Sequence, residues 1–452
     1  MATAGGDLAA LDVRDRDEVD EVDDVVDWSG ALALDGGEPV RTRPFPSVNN
    51  AGGRTLGEEE VEALRRVIAS GQLNSTIGSE TSSLEREFAD YYGIGHAVAA
   101  SSGTAALHLA IAAVDPEPGD EIITTPITDA GTVLPILWQN AVPVFADVDP
   151  LTGNLDVESV ASLITSRTRA IVVVHLFGAP APVRELRHLA DRHGIVLVED
   201  CAQAYLTRTG GDRLAGTVGH VGCFSLQQSK HITAGDGGLC ITDDPARARR
   251  MRLFADKGWP RDTDERTHLF LATNYRMTEL QAAVARAQLP KLSGVVGDRR
   301  AAAKRLTDSI SSLGGLVPPT HARMSYWQYP LIVDPTAAGA TNHEYGKALA
   351  AEGIPASGGY LTRPVYRTPV LSDRRTYGRS GYPLSAPPAD SVPRYDVGLC
   401  PIAESLIEER LVVIGWNERY TDADVDDIAR AIRRVHHAFT ARMSAASAGR
   451  DG

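Results

Sequence analysis

Between residues 96 and 198 the chain repeats one pattern. A short, continuously apolar run is followed by a helical stretch, then by another apolar run. The runs fall at 96–100, 122–125, 142–146, 170–177 and 195–198, and the helical stretches at 105–113, 129–139, 157–164 and 183–193. A strand with one face in water alternates apolar and polar residues. A strand without alternation is buried on both faces, which helices packed above and below a parallel sheet achieve. The pattern therefore predicts an α/β fold with a mostly parallel sheet. Ligands of such sheets bind beyond the carboxyl ends of the strands, so the residues that end each run are the first candidates for a site.

The flanking regions read differently. Residues 1–30 hold ten acidic residues and two arginines among isolated valines, too little apolar surface to order a segment, and we expect an acidic disordered tail. Glu58, Glu59 and Glu60 open a predicted helix whose apolar face is Val61, Leu64 and Ile68. A large domain is expected over 31–298 and a smaller α+β domain over 299–452. The smaller one carries a strand at 326–333, a helix at 342–352 and a terminal helix capped by Thr421 with Asp424 three residues on. The net charge of −14 argues against a nucleic-acid surface. Cys201, Cys223, Cys240 and Cys400 lack metal-binding spacing and read as reduced, buried residues. No apolar run has the length of a membrane span, and the N-terminus carries no secretion signal, so a cytoplasmic protein is expected.

The stretch 224–238 holds the chemistry. An apolar run at 221–224 leads to Ser225 and Lys230, then to a glycine-rich turn and a second apolar run at 239–242. A lysine between two buried strands loses its proton readily, and its amine then becomes a nucleophile toward carbonyls. Taken alone, Lys230 also reads as an ordinary loop lysine; its company changes that. Ser102, Gly103 and Thr104 stand where a strand turns into a helix, and backbone N–H groups there make a phosphate seat. Asp200 ends the run at 195–198 and suits a cationic ring nitrogen, although a helix cap would account for it equally well. Ser225 can add a hydroxyl to the phosphate. Asn274 and Arg276 precede a helix and read equally as a cap and a surface charge. A phosphate seat, an acidic partner for a ring nitrogen and a Schiff-base lysine are together what pyridoxal 5'-phosphate requires. His175 reads as a core histidine, and His231 as pointing away from its neighbour Lys230.

Four segments carry a resemblance: Ser-Gly-Thr-Ala-Ala-Leu-His-Leu-Ala at 102–110, Glu-Asp-Cys-Ala-Gln-Ala at 199–204, Phe-Ser-x4-Lys-x4-Gly-Asp-Gly-Gly from 224, and Asn-Tyr-Arg-Met-Thr-Glu-Leu-Gln-Ala-Ala at 274–283. With Leu-Cys-Pro-Ile-Ala-Glu at 399–404, the chain from about 32 to 435 resembles the DegT/StrS-type aminotransferases of sugars and aminocyclitols. The resemblance implies a fold-type I pyridoxal-phosphate enzyme, aspartate aminotransferase-like, acting as a homodimer with a shared active site. It implies that Lys230 carries the cofactor as a Schiff base and shuttles a proton. It pairs Asp200 with the pyridine nitrogen, sets Gln203 near the ring oxygen, and gives the phosphate to Gly103, Thr104 and Ser225. Asn274 would reach the phosphate in the neighbouring subunit. Asp129 departs from the pattern, because the family usually has a ring-stacking aromatic there; either another group covers the ring or Asp129 contacts ring or substrate, and we expect it to hydrogen-bond a substrate amine or hydroxyl.

The expected reaction moves an amino group from glutamate or glutamine to a keto-sugar nucleotide or keto-cyclitol in antibiotic or glycan biosynthesis. Two alternatives accompany it. One is a lysine-retaining dehydratase or cyclase of the same family acting on a cyclic substrate. The other is an accessory homologue without activity.

Overall fold

The computed structural model describes residues 31–319, 323–385 and 394–448; the expected acidic tail lies outside them. Along the chain, α1 (Glu58–Ser70) and α2 (Glu80–Tyr92) precede β1 (His96–Ala100), α3 (Gly103–Val114), β2 (Glu121–Thr124), α4 (Ala130–Trp138) and β3 (Val142–Phe145). Then come α5 (Val157–Ser162), β4 (Thr168–Val174), α6 (Val183–His193), β5 (Val196–Asp200), β6 (Val221–Ser225), β7 (Gly238–Thr242) and α7 (Pro245–Ala255). These seven strands form one sheet in the order β1-β7-β6-β5-β4-β2-β3. The strands from β3 across to β6 run parallel, and β7 lies antiparallel between β6 and β1. Adjacent residues in the central strands, such as Ile122 and Ile123 or Leu197 and Val198, are all fully buried. This is what unbroken apolar runs predict, at roughly 1.5–3 kcal/mol per large apolar side chain buried.

Further on, α8 (Glu279–Gln288) and α9 (Leu292–Ile310) lead to β8 (Leu316–Val317), β9 (Gln328–Val333), β10 (Ala356–Gly358) and β11 (Leu411–Gly415). The last four strands make a second, antiparallel sheet in the order β10-β11-β9-β8. The helices Asn342–Ala351 and Asp422–Ala448 contribute Tyr345, Leu349, Val425, Ile428 and Ile432 to the core shared with this sheet. Thr421 and Asp424 cap the terminal helix reciprocally, with Thr421 N–H donating to Asp424 Oδ2 at 2.8 Å.

Two local expectations need correction. In α1 the buried side chains are Glu60, Ala63 and Val67, while Val61 and Ile68 are exposed. Glu60 turns the helix inward because Gln288 Nε2 and Lys291 Nζ both donate to its Oε1 at 2.7 Å, and two strong bonds to a carboxylate outweigh an apolar stripe. The apolar run at 170–177 leaves the sheet at Val174, because Phe177 turns left-handed with φ 55°. Its N–H takes Gln203 Oε1 at 2.6 Å and its carbonyl accepts from Trp327 N at 3.0 Å.

Candidate active site

The carboxyl ends of β1, β4, β5 and β6 open onto a cavity of about 410 Å³. Ser102, Gly103, Thr104, Asp129, Asp200, Gln203, Ser225 and Lys230 all line it. These come from four separate stretches of the chain, which the sheet order brings together. Asn274 is not among the lining residues; it is exposed, and pairs with Asp256 in an isolated bridge. A second cavity, of about 390 Å³ and lined by Arg252, Trp259, Arg261 and Arg276, shares none of these residues.

One end of the cavity is the N-terminus of α3. Ser102 caps that helix by accepting from Ala105 N at 3.0 Å, which leaves the first N–H groups of the helix facing the cavity. Gly103 is required for the fit: a Cβ there would stand 2.6 Å from Ser225 Cβ and 2.8 Å from its Oγ. The helix start and the Ser225 hydroxyl are thus pressed into one oxygen-binding corner. Gly131 plays the same part beside Thr104, where a Cβ would meet Oγ1 at 2.5 Å.

Asp200 is buried at the end of β5. Its Oδ1 accepts from Ala202 N at 3.0 Å and its Oδ2 from Thr132 Oγ1 at 2.8 Å. The Thr132 hydroxyl has spent its one hydrogen, so the Thr128 hydroxyl 2.6 Å away must donate to it. Burial raises the Asp200 pKa, opposed by these hydrogen bonds and by Lys230. A carboxylate in that state gains from a cation placed against it, such as a protonated pyridine nitrogen.

Lys230 sits in the turn after β6, and its ammonium lies 4.1 Å from the centre of the Trp327 ring. Burial lowers its pKa to about 8, against the pull of Asp200 and Asp129. It is therefore an amine that carries and releases a proton near neutral pH. His231 points away as expected: it is buried, with Nε2 3.0 Å from the Ser325 carbonyl, so Nε2 carries the proton. His175 is likewise internal. Ala181 N donates to its Nδ1 at 3.1 Å, so Nε2–H donates to Glu199 at 2.9 Å. Glu199 is saturated further by the N–H groups of Gly216, Val218 and Gly219.

Gln203 lies in the cavity, with its amide tied to Phe177 N and, at 3.3 Å, to the Tyr360 hydroxyl. Asp129 caps α4 through Oδ1, 2.7 Å from Gly131 N. It is otherwise exposed to the cavity, and Oδ2 has no protein partner among the described residues. Sequence reasoning missed Thr132, Trp327 and Tyr360. Thr132 could have been found as the residue one helical turn from Thr128. Trp327 and Tyr360 come from the second sheet and its loops, and no local pattern marks them.

A cofactor with an aldehyde, a phosphate and a basic ring nitrogen fits these donors. The amine, the glycine-cleared corner and the buried carboxylate each have a counterpart on pyridoxal phosphate.

The chain is similar to known proteins along most of its length. The DegT/DnrJ/EryC1/StrS aminotransferase family model matches residues 54–393. The chain is 37% identical over 440 residues to the L-glutamine:2-deoxy-scyllo-inosose aminotransferase of Streptomyces kanamyceticus, covering 90% of this chain and 97% of that protein. An aminotransferase from Psychrobacter cryohalolentis superimposes with a TM-score of 0.75 at 28% identity, over 88% of this chain and 100% of that one. 3-Amino-5-hydroxybenzoic acid synthase does so with a TM-score of 0.74 at 28% identity, over 88% and 99%.

Proposed function

The chain belongs to the DegT/DnrJ/EryC1/StrS aminotransferase family, and from that premise we propose that it moves an amino group from glutamine or glutamate to a ketone on a cyclitol or a nucleotide-linked sugar. The observation that carries this reading is the shared cavity of Lys230, Asp200 and the Gly103 corner. The name of the Streptomyces kanamyceticus relative favours glutamine as donor and a keto-cyclitol as acceptor, and we assign the reaction to antibiotic biosynthesis.

Pyridoxal phosphate, when bound, supplies an aldehyde that exchanges amino groups and a ring that accepts electrons. Gly103, Thr104 and Ser225 would hold its phosphate. Asp200 would keep the ring nitrogen protonated, and Gln203 would face the ring oxygen. Lys230 Nζ would hold the cofactor between turnovers and move a proton at the reacting substrate carbon, as base in one half-reaction and acid in the other. Asn274 serves the neighbouring subunit of a homodimer. The exposed apolar side chains of Val61, Ile68, Leu73 and Ile77 support burial against a second copy. Among the described residues no helix is long and apolar enough to cross a membrane, and we place the reaction in the cytoplasm.

Asp129 is assigned a contact to a substrate amine or hydroxyl through its free oxygen. Asp129→Asn keeps an N-cap side chain, so its stability should stay within about 0.5 kcal/mol of the parent. Its kcat/KM for the acceptor should fall by about tenfold or more, the worth of one hydrogen bond to a charged group. Unchanged acceptor kinetics would remove the contact.

The second reading is elimination from a cyclic substrate with the same lysine. Incubating the protein with pyridoxal phosphate and glutamine alone separates the two. Amino transfer yields pyridoxamine phosphate without any acceptor, and a panel of keto-cyclitols and keto-sugar nucleotides scored by product mass then identifies the acceptor. No pyridoxamine phosphate, with water lost from a cyclic substrate, would favour the second.

A further inference from the structure

Four consecutive residues of the lysine turn are tied to chain segments outside the first sheet. Gln228 Nε2 donates to the Val48 carbonyl at 2.7 Å, and Trp327 Nε1 to the Ser229 carbonyl at 2.8 Å. Arg54 Nη1 donates to the Lys230 carbonyl at 3.1 Å, and His231 to the Ser325 carbonyl. The turn has no regular secondary structure, so these bonds fix where the Lys230 backbone stands.

Arg54 is the unusual member. Its side chain is buried, with 6% of the residue exposed, yet Nε and Nη2 have no protein hydrogen-bond partner among the described residues. No ion pair joins it to a carboxylate among the described residues: the nearby Glu418 gives its Oε2 to Arg299, and its buried Oε1 has no hydrogen-bond partner among them. A buried guanidinium with one protein hydrogen bond is expensive for stability. An apolar side chain of similar length would fill the space at lower cost. What such a side chain could not do is hold the Lys230 carbonyl.

We propose that Arg54 is a positioning residue for the reaction at Lys230: its guanidinium anchors the Lys230 carbonyl and so sets the direction from which the amine enters the cavity. The inference rests on the reading of Lys230 as the cofactor-bearing lysine. Proton transfer and carbonyl attack both need the amine placed to within a fraction of an ångström, and a misplacement of about 1 Å costs about 10²-fold in rate. Arg54 touches neither substrate nor cofactor in this scheme. Its effect passes wholly through the lysine.

The test uses the full-length holoenzyme and the variants Arg54→Met and Arg54→Lys. Three quantities are read: cofactor retained after desalting, the fraction of that cofactor fixed to Lys230 by borohydride, and kcat against KM. For Arg54→Met we expect retention close to the parent, because the Gly103 corner is untouched, with a fixed fraction reduced by about half or more and kcat lower by about 10- to 100-fold at little-changed KM. Arg54→Lys keeps one donor and should recover part of both losses, and it serves alone should Arg54→Met not fold. Wild-type fixation and kcat in both variants would overturn the proposal. So would parallel loss of retention, fixation and melting temperature, which marks a structural role only. If the parent itself shows no cofactor on Lys230, the reading of the site fails first, and the two failures are thereby told apart.

Discussion

Lys230 is subject to opposing influences within one cavity. Burial drives its proton off, while Asp200, Asp129 and the Trp327 ring favour the charged form. Burial wins in part, leaving the pKa at about 8 against an ordinary 10.5. The sign of the consequence is definite: below about pH 8 the group is an ammonium and cannot attack an aldehyde, and above it the free amine can. Attachment of pyridoxal phosphate to the apoprotein should therefore quicken as pH rises and level off just above pH 8. A rate still climbing toward pH 10.5 would mean an unperturbed lysine. At this scale the sequence was informative where function and backbone coincide. Gly103, Asp200 and Ser225 stand at or just beyond strand ends and Lys230 in the turn after one, so local pattern pointed to the cavity that they line. Trp327 and Tyr360 were illegible because their role depends on the second sheet's placement against the first.

Among the elements, α9 shows how that placement is held. Arg299 is fully buried and donates to Glu418 at 2.6 and 3.0 Å. Its Nη1 reaches the carbonyls of Tyr326, Trp327 and Trp416 at 3.0–3.2 Å. One side chain thus joins α9 to the segments before β9 and after β11, and so steadies the tryptophan beside Lys230. Removing a single partner from a buried pair leaves the other charge uncompensated. Arg299→Met should lower the unfolding free energy by about 3–5 kcal/mol, read as a shift in the urea midpoint at unchanged slope. A loss below about 1 kcal/mol would show that the pair contributes little. Helix α1 marks the limit of pattern reading at this scale. Periodicity pointed to Val61 and Ile68, yet Glu60 faces inward because its partners Gln288 and Lys291 lie more than 220 residues away in sequence.

For the whole molecule, the α/β class followed from the unbroken apolar runs, but the strand order did not. Antiparallel β7 between β6 and β1 is set by non-local pairing that no local signal encodes. Asn274 lies exposed and outside the cavity. If it serves a second copy, two inactive variants should complement each other. Mixing Lys230→Ala with Asn274→Ala under subunit exchange should give heterodimers with one intact site of two, restoring up to about a quarter of the parent activity per subunit. A mixture no more active than its components would place Asn274 outside a shared site.

The most direct measurement is reduction of the pyridoxal-phosphate-loaded protein with borohydride, followed by peptide mass analysis. The account predicts one cofactor mass per chain on the peptide containing Lys230, absent from Lys230→Ala together with amino transfer. A label on another lysine, or undiminished transfer by Lys230→Ala, would contradict it.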